Sequence, residues 1–208
     1  YEWTERRYRV VYMFDGHNLF DVRTSTYNQE WQIDETMERL AAEGKEPAVV
    51  VGIDAPFDEF ARYRMHSIGQ WAYRKRPQGP VVRTIDGDGE VTAAFLMQAV
   101  KAATEQRYRV RTDRDGIGVG GSSMGGYMSL VVGTRYPDRV SKVLAFSPVA
   151  LDEPMRGVEL REAIVGAGAP VGQRYYLDMG DRERLDYVRH PQELVDNLEE
   201  LRSALAQA

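Results

Sequence analysis

No cysteine occurs among the 208 residues, which excludes disulfides and thiolate metal sites. The only histidines are His17, His66 and His190. They lack the spacing of a ligand set, so no metal is expected. No run of about 18 apolar residues exists, and nothing reads as a membrane span. Positive charge is not gathered into a face: the longest basic run is Arg74-Lys75-Arg76, and the net charge is −5. A nucleic-acid partner is therefore not expected, since phosphate-backbone binding needs a basic surface. The absence of cysteine fits a cytoplasmic protein. The sequence opens at Tyr1, without Met or a signal-like segment, which reads as a trimmed N-terminus and leaves secretion open.

What is present alternates short apolar runs with amphipathic stretches. Arg9 to Phe14 is β-rich and ends at Asp15-Gly16, a strand running into a turn. Ile33, Met37, Leu40 and Ala41 recur at helical spacing, with Gly44 as a stop. Ala48 to Ile53 is a continuous apolar run, as in a strand buried on both faces. From Ala55 to about Gly89 no periodicity is visible, which reads as a long functional loop. Leu96, Ala99, Val100 and Ala103 mark a second helix. Gly116 to Gly120 reads as a third strand, followed by a turn and a helix to about Arg135. Val140 to Phe146 and Arg174 to Met179 read as two more strands, and Leu194, Leu198, Leu201 and Leu205 as a last helical stripe. Such alternation predicts an α/β fold, a three-layer α/β/α sandwich around a mostly parallel sheet, in one domain over residues 1–208.

Gly121-Ser122-Ser123-Met124-Gly125 matches the nucleophile-elbow pattern G-x-S-x-G. Its serine sits on a sharp strand-to-helix turn, so the flanking positions must lack bulk. The helix that follows points its N-terminus at the reacting carbonyl, which lets the Met124 amide stabilise an oxyanion. A Gly-rich turn with incidental serines is the plain alternative. Gly116, Gly118 and Gly121 also spell the dinucleotide fingerprint G-x-G-x-x-G. There the glycines follow the strand, whereas these alternate with Ile117 and Val119 inside one, so no cofactor is expected.

The elbow, followed by Gly126, then Arg135-Tyr136-Pro137-Asp138 and Ala145-Phe146-Ser147-Pro148, closely resembles the esterase D, or "putative esterase", family of α/β-hydrolases. The run from Tyr12 to Asp21 resembles that family's first long strand and oxyanion loop. Tyr176-Leu177-Asp178-Met179-Gly180 resembles the strand before its catalytic acid. The resemblance implies an α/β-hydrolase core with five recognisable parallel strands in the order two-one-three-four-five. It makes Ser123 the nucleophile, the amides of Met124 and His17 the oxyanion hole, and Glu183 the acid. Asp181 is the alternative acid, and both could belong to a solvated charged turn.

The resemblance breaks at the general base. The family's histidine follows a further strand beyond the last helix, and without a base a serine hydroxyl is a poor nucleophile. His190 follows the acid in chain order but stands one element early, and also reads as a surface residue at a helix start. His66 and Trp71, in the long loop with Tyr63 and Tyr73, are expected to line the substrate pocket or to pack the loop on the sheet. Elements at both ends look absent, as in part of a longer hydrolase, a minimised one, or an inactive variant. Bare sheet edges leave a homo-oligomer open. The expected function is a serine esterase acting on a small carboxylic ester or thioester through an acyl-enzyme on Ser123. An acyltransferase using the same intermediate and a catalytically inactive binding scaffold are the alternatives.

Overall fold

The computed structural model describes residues 5–26, 28–75, 79–148, 172–180 and 191–206. Strand β1 (Arg9–Phe14) runs into a 3-10 turn (Gly16–Asn18), then α1 (Ile33–Ala42) and β2 (Ala48–Ile53). After α2 (Glu59–Met65), β3 (Gln70–Tyr73) and β4 (Arg83–Asp86), a long helical stretch begins. It comprises α3 (Gly89–Phe95), a π turn (Leu96–Val100) and α4 (Lys101–Arg107). A 3-10 turn (Arg114–Gly116) leads into β5 (Ile117–Ser122), α5 (Met124–Arg135), β6 (Lys142–Phe146), β7 (Arg174–Asp178) and α6 (Pro191–Ala206).

Five strands form one parallel sheet in the order β2-β1-β5-β6-β7. Counting only these strands, this is the order two-one-three-four-five of the α/β-hydrolase core. Tyr12 of β1 lies between Val51 of β2 and Val119 of β5. Ile117 to Gly121 of β5 are all buried, as the central strand of a sheet covered on both faces requires. Among the described residues β2 is an edge strand, and only Ile53 of its six residues is fully buried. Its unbroken apolar run predicts burial on both faces; the edge position covers it less.

Helix α5 is the structural centre. Met124 to Gly133 are buried without interruption, the pattern of a helix apolar all round and enclosed by its neighbours. It packs on β1, β5 and β6, with α3 on its flank. Contact with β6 is tightest at Gly133, where an added Cβ would stand 2.4 Å from Val143 Cγ2.

The segment from Ala55 to Gly89 is not a bare loop. It holds α2 and an antiparallel hairpin of β3 and β4, with Trp71 paired to Ile85. Seven helical residues and two four-residue strands are too short for periodicity to show. Local signals do exist: Asp58 caps α2 by accepting from the Ala61 amide at 2.8 Å. Phe60 and Tyr63 then face the core one turn apart, with Tyr73 of β3 against both.

This segment sends two side chains beneath the end of β1. Asp15 is buried in the left-handed region, at φ 55° and ψ 48°. Arg62 grips it with two hydrogen bonds, Nε to Oδ1 at 3.2 Å and an Nη to Oδ2 at 2.8 Å. His66 is 0% exposed. Its Nδ1 donates to the Arg62 carbonyl at 2.9 Å, its ring meets Phe14 edge-on, and its Nε2 lies 3.8 Å from Asp15 Oδ1. The expectation that His66 lines the substrate pocket is thereby corrected, because a fully enclosed ring has no face for a ligand. Burial pushes the imidazole below its ordinary value of 6.5, against the opposing pull of Asp15.

Gly133→Ala gains about 1 kcal/mol of helix propensity, yet overpacking against stiff Val143 costs about 1–3 kcal/mol. Urea denaturation should show a net loss, and an unchanged or raised midpoint would refute the tight contact. For His66, the folded value lies below the unfolded one, so the unfolded chain takes up the proton first as pH falls. Its contribution is present above about pH 6.5 and is lost as pH drops below it. Urea midpoints between pH 7 and pH 5 should therefore fall less steeply in His66→Gln than in the parent, and equal slopes would refute the assignment.

Candidate active site

Strand β5 hands the chain to α5 through one residue. Ser123 holds φ 54° and ψ −119°, a conformation that costs a non-glycine residue about 1–3 kcal/mol. The turn is tied down on both sides. The Ser123 amide donates to the Phe146 carbonyl at 2.9 Å, and the Ser123 carbonyl accepts from the Tyr127 amide at 3.1 Å, opening the helix. The glycines of the motif are required by approach distance. A Cβ on Gly121 would stand 2.7 Å from the Gly125 carbonyl group, and one on Gly125 would stand 2.9 Å from Phe14 Cβ. Met124 is the first residue of α5, so its amide is among the helix's unpaired donors, at the positive end of the dipole. Ser123 itself remains partly exposed.

The second wall is the 3-10 turn Gly16–Asn18, directly after Asp15. The same glycine contact brings it close: the position of a Gly125 Cβ lies 3.4 Å from Asp15 Oδ2. Gly16 has no room for a side chain, since a Cβ would stand 2.7 Å from the Gly52–Ile53 peptide. The segment after the turn straps it from outside. Thr24 Oγ1 donates to the His17 carbonyl at 2.7 Å, the Thr26 amide donates to Asn18 Oδ1 at 2.9 Å, and the Trp31 amide donates to the Asn18 carbonyl at 2.9 Å. The His17 ring is held within this strap, with Nε2 3.0 Å from Thr26 Oγ1 and Phe57 6.0 Å away centre to centre.

An aromatic row stands beside the elbow, and sequence reasoning misses it. Phe146, whose carbonyl holds the Ser123 amide, lies between the half-exposed rings of Trp31 at 5.3 Å and Tyr176 at 5.5 Å. The one signal for it is an aromatic at the carboxyl end of a strand next to the elbow strand. Trp31, in a polar segment between β1 and α1, carries none. Below this row, the Ser147 amide donates to Asp178 Oδ1 and to the Asp178 carbonyl, both at 3.1 Å, joining the ends of β6 and β7.

The fold therefore brings Ser123, Met124 and the His17 turn to one end of the sheet. Trp71 lies on β3, and its side chain is outside the description. Glu183, Asp181 and His190 all lie outside the described residues. Gly118 and Gly121 lie inside β5 and not in a loop after it. Among the described residues, the one close group of metal-capable side chains is Glu30, Asp34 and Glu35, at the surface. No helix among them is long and apolar enough to cross a membrane.

Comparison with known proteins agrees with this fold. The enterobactin esterase FES of Shigella flexneri, solved with 2,3-di-hydroxy-N-benzoyl-glycine, superposes with a TM-score of 0.67 at 21% identity. The match covers 99% of this chain and 46% of that one. The siderophore hydrolase EstA of Aspergillus nidulans matches at TM-score 0.67 and 22% identity, over 99% of this chain and 73% of that one. An IroE-like serine hydrolase from Shewanella oneidensis gives a TM-score of 0.72 at 19% identity, over 97% of this chain and 62% of that one. The chain thus spans about half the length of the Shigella esterase. Comparison with curated protein sequences returned no match. The family model described as "Putative esterase" matches residues 1–207, and the chain belongs to that family.

Proposed function

We propose that the protein is a serine hydrolase that cleaves a small carboxylic ester or thioester through an acyl-enzyme on Ser123. The observation that carries this reading is the strained backbone of Ser123. A positive φ on a serine, at the residue where β5 gives way to α5, is stored strain of the kind found where a side chain must be presented to a reacting group. Membership of the esterase family supports the same reaction class.

Ser123 Oγ attacks the ester carbonyl, and the negative charge that develops on its oxygen is taken by the amides of Met124 and His17. Two such donors, fixed before the reaction, are worth several kcal/mol, since removing one oxyanion donor costs about 2.7–4 kcal/mol. Glu183, with Asp181 as the alternative, orients the imidazole that accepts the Ser123 proton and returns it to the leaving group. Water then frees the acid. His66 is unsuited to accepting that proton, because it is sealed from the site and its Nδ1 is committed to Arg62. The proton acceptor is either His190 or a histidine supplied by the remainder of a longer protein.

The aromatic row supports an acyl or alcohol group that carries a ring. Trp31 and Tyr176 flank Phe146 in edge-on and tilted contacts, which leaves ring surface exposed beside the nucleophile. The Shigella esterase was solved with a benzoyl compound, which makes aryl-bearing siderophore esters the first substrates to try.

Ser123→Ala should abolish labelling of the full-length protein by a fluorophosphonate probe and lower kcat by more than about 10⁴-fold. Retained labelling would refute the nucleophile assignment. In the same assay His190→Ala should lose a similar factor if His190 is the base, and should keep its turnover if the base lies elsewhere. Trp31→Ala should raise KM for aryl esters by about tenfold while leaving acetate esters nearly unchanged, because a lost ring contact is worth about 0.5–1.5 kcal/mol beyond area. Equal effects on both substrates would place Trp31 outside the pocket.

A further inference from the structure

The opposite end of the sheet carries a cleft of about 530 Å³. It is lined by Arg9 at the start of β1, Lys142 at the start of β6 and Arg174 at the start of β7, with Arg111 and Arg114 ahead of β5. Asp115 and Ser141 complete the polar wall. Because the strands are parallel, all their N-terminal ends lie here, a strand length away from Ser123. In a chain of net charge −5, five cations gathered around one concavity are an exception.

Among the described residues, carboxylates offset only part of this charge. Arg9 pairs with Glu46 at 3.0 Å and Arg111 with Asp113 at 2.6 Å. Arg114 Nε donates to the Pro137 carbonyl at 2.6 Å. Lys142 Nζ donates to the Asp115 carbonyl at 2.8 Å and to Ser141 Oγ at 2.9 Å, both uncharged acceptors. Among the described residues, neither Lys142 nor Arg174 has a carboxylate within ion-pair distance. Among the described residues, Lys142 and Arg174 thus bring to the cleft two positive charges with no carboxylate of their own. Burial, with the positive fields of Arg9, Arg174 and Arg111, outweighs Asp115 and pushes the Lys142 ammonium below its usual range. Like charges held together at such a cost are the electrostatic signature of a site that gains an anion.

We propose that this cleft is a second binding site, distinct from the Ser123 site, for a small molecule carrying two or more phosphate or carboxylate groups. Lys142 and Arg174 are its primary donors, and the paired Arg9 and Arg111 supply the surrounding positive field. Two donors on adjacent strands favour an anion with two charged groups over a single one. Among the described residues no aromatic side chain lines the cleft, so these residues offer charge and hydrogen bonds and no platform on which a base could stack.

The test is isothermal titration of the full-length protein at low ionic strength with two probes, sodium pyrophosphate and citrate. One-site binding of either probe is expected, weakening as salt is added. Binding of pyrophosphate alone identifies a phosphate ligand, and binding of citrate alone a polycarboxylate. Arg174→Gln and Lys142→Gln should each weaken binding by about tenfold, the scale of one charge-assisted hydrogen bond. Lys142→Arg should retain it, and ester turnover should be unchanged in all three. Arg174 lies at a strand start with an exposed side chain, so its variant keeps the test valid if Lys142→Gln misfolds. Absence of binding for both probes, or binding that survives both charge-removing variants, would overturn the proposal.

Discussion

The backbone of Ser123 is the constraint on which the rest depends. For β5 to end and α5 to begin without a linker, one residue must take a positive φ, and both partners must approach to backbone contact. The first requirement costs about 1–3 kcal/mol at a serine. The second removes side chains at Gly121 and Gly125, where a Cβ would fall inside 3 Å of its neighbours. Neither cost is recovered within the turn. It is met by the burial of α5, whose first ten residues are enclosed between the sheet and α3. At about 25 cal/mol per Å² of apolar surface, a few buried side chains of this helix outweigh the strain.

A second dependence runs through Asp15. Its left-handed conformation turns the chain from β1 into the 3-10 turn that carries the His17 amide, and its carboxylate is buried. A buried carboxylate is tolerable only with good partners, which Arg62 supplies in two hydrogen bonds from α2. Asp15 therefore couples three segments: β1, the Gly16–Asn18 turn and the helix of the 55–89 region. That region contributes to the candidate site from beneath, by fixing the loop, through side chains that no ligand touches.

Legibility in the sequence follows the length and regularity of each element. The parallel strands and longer helices can be read because apolar runs of five or six residues and stripes of three or more turns stand out from their surroundings. The elbow can be read because its glycines answer a steric demand that few other residues satisfy. The 55–89 segment cannot, since two turns of helix and four-residue strands carry too few positions for a period. His66 misleads for a related reason. A histidine in a polar, aromatic stretch looks like a pocket residue, and only the tertiary contact with Asp15 and Phe14 reveals a buried one. The edge position of β2 is equally hidden, because an apolar run records how well a strand can be buried and not how far it is. Trp31 and Tyr176 meet at Phe146 from segments about 145 residues apart in sequence, a juxtaposition that only the sheet order creates.

The parallel sheet also keeps its two ends electrically apart. A six-residue strand spans about 16–20 Å, roughly twice the screening length of about 8 Å at physiological ionic strength. The cations at the strand starts are thus too distant to stabilise an oxyanion at Ser123, and the aromatic row adds no formal charge to that end. In the mechanism we propose, stabilisation there comes from groups in direct reach, the backbone amides at the start of α5 and in the His17 turn. Amide dipoles suit that role because they are fixed by the fold and add no net charge to repel a cationic substrate or trap an anionic product. The basic end faces the reverse situation. Its field is only partly compensated at Lys142 and Arg174, so an anion bound there would stabilise the starts of β6 and β7 directly. Those two strands reach the site through their other ends, where Phe146 holds the Ser123 amide and Asp178 holds Ser147. Occupancy of one end can influence the other only through the rigidity of these strands, by packing and not by charge.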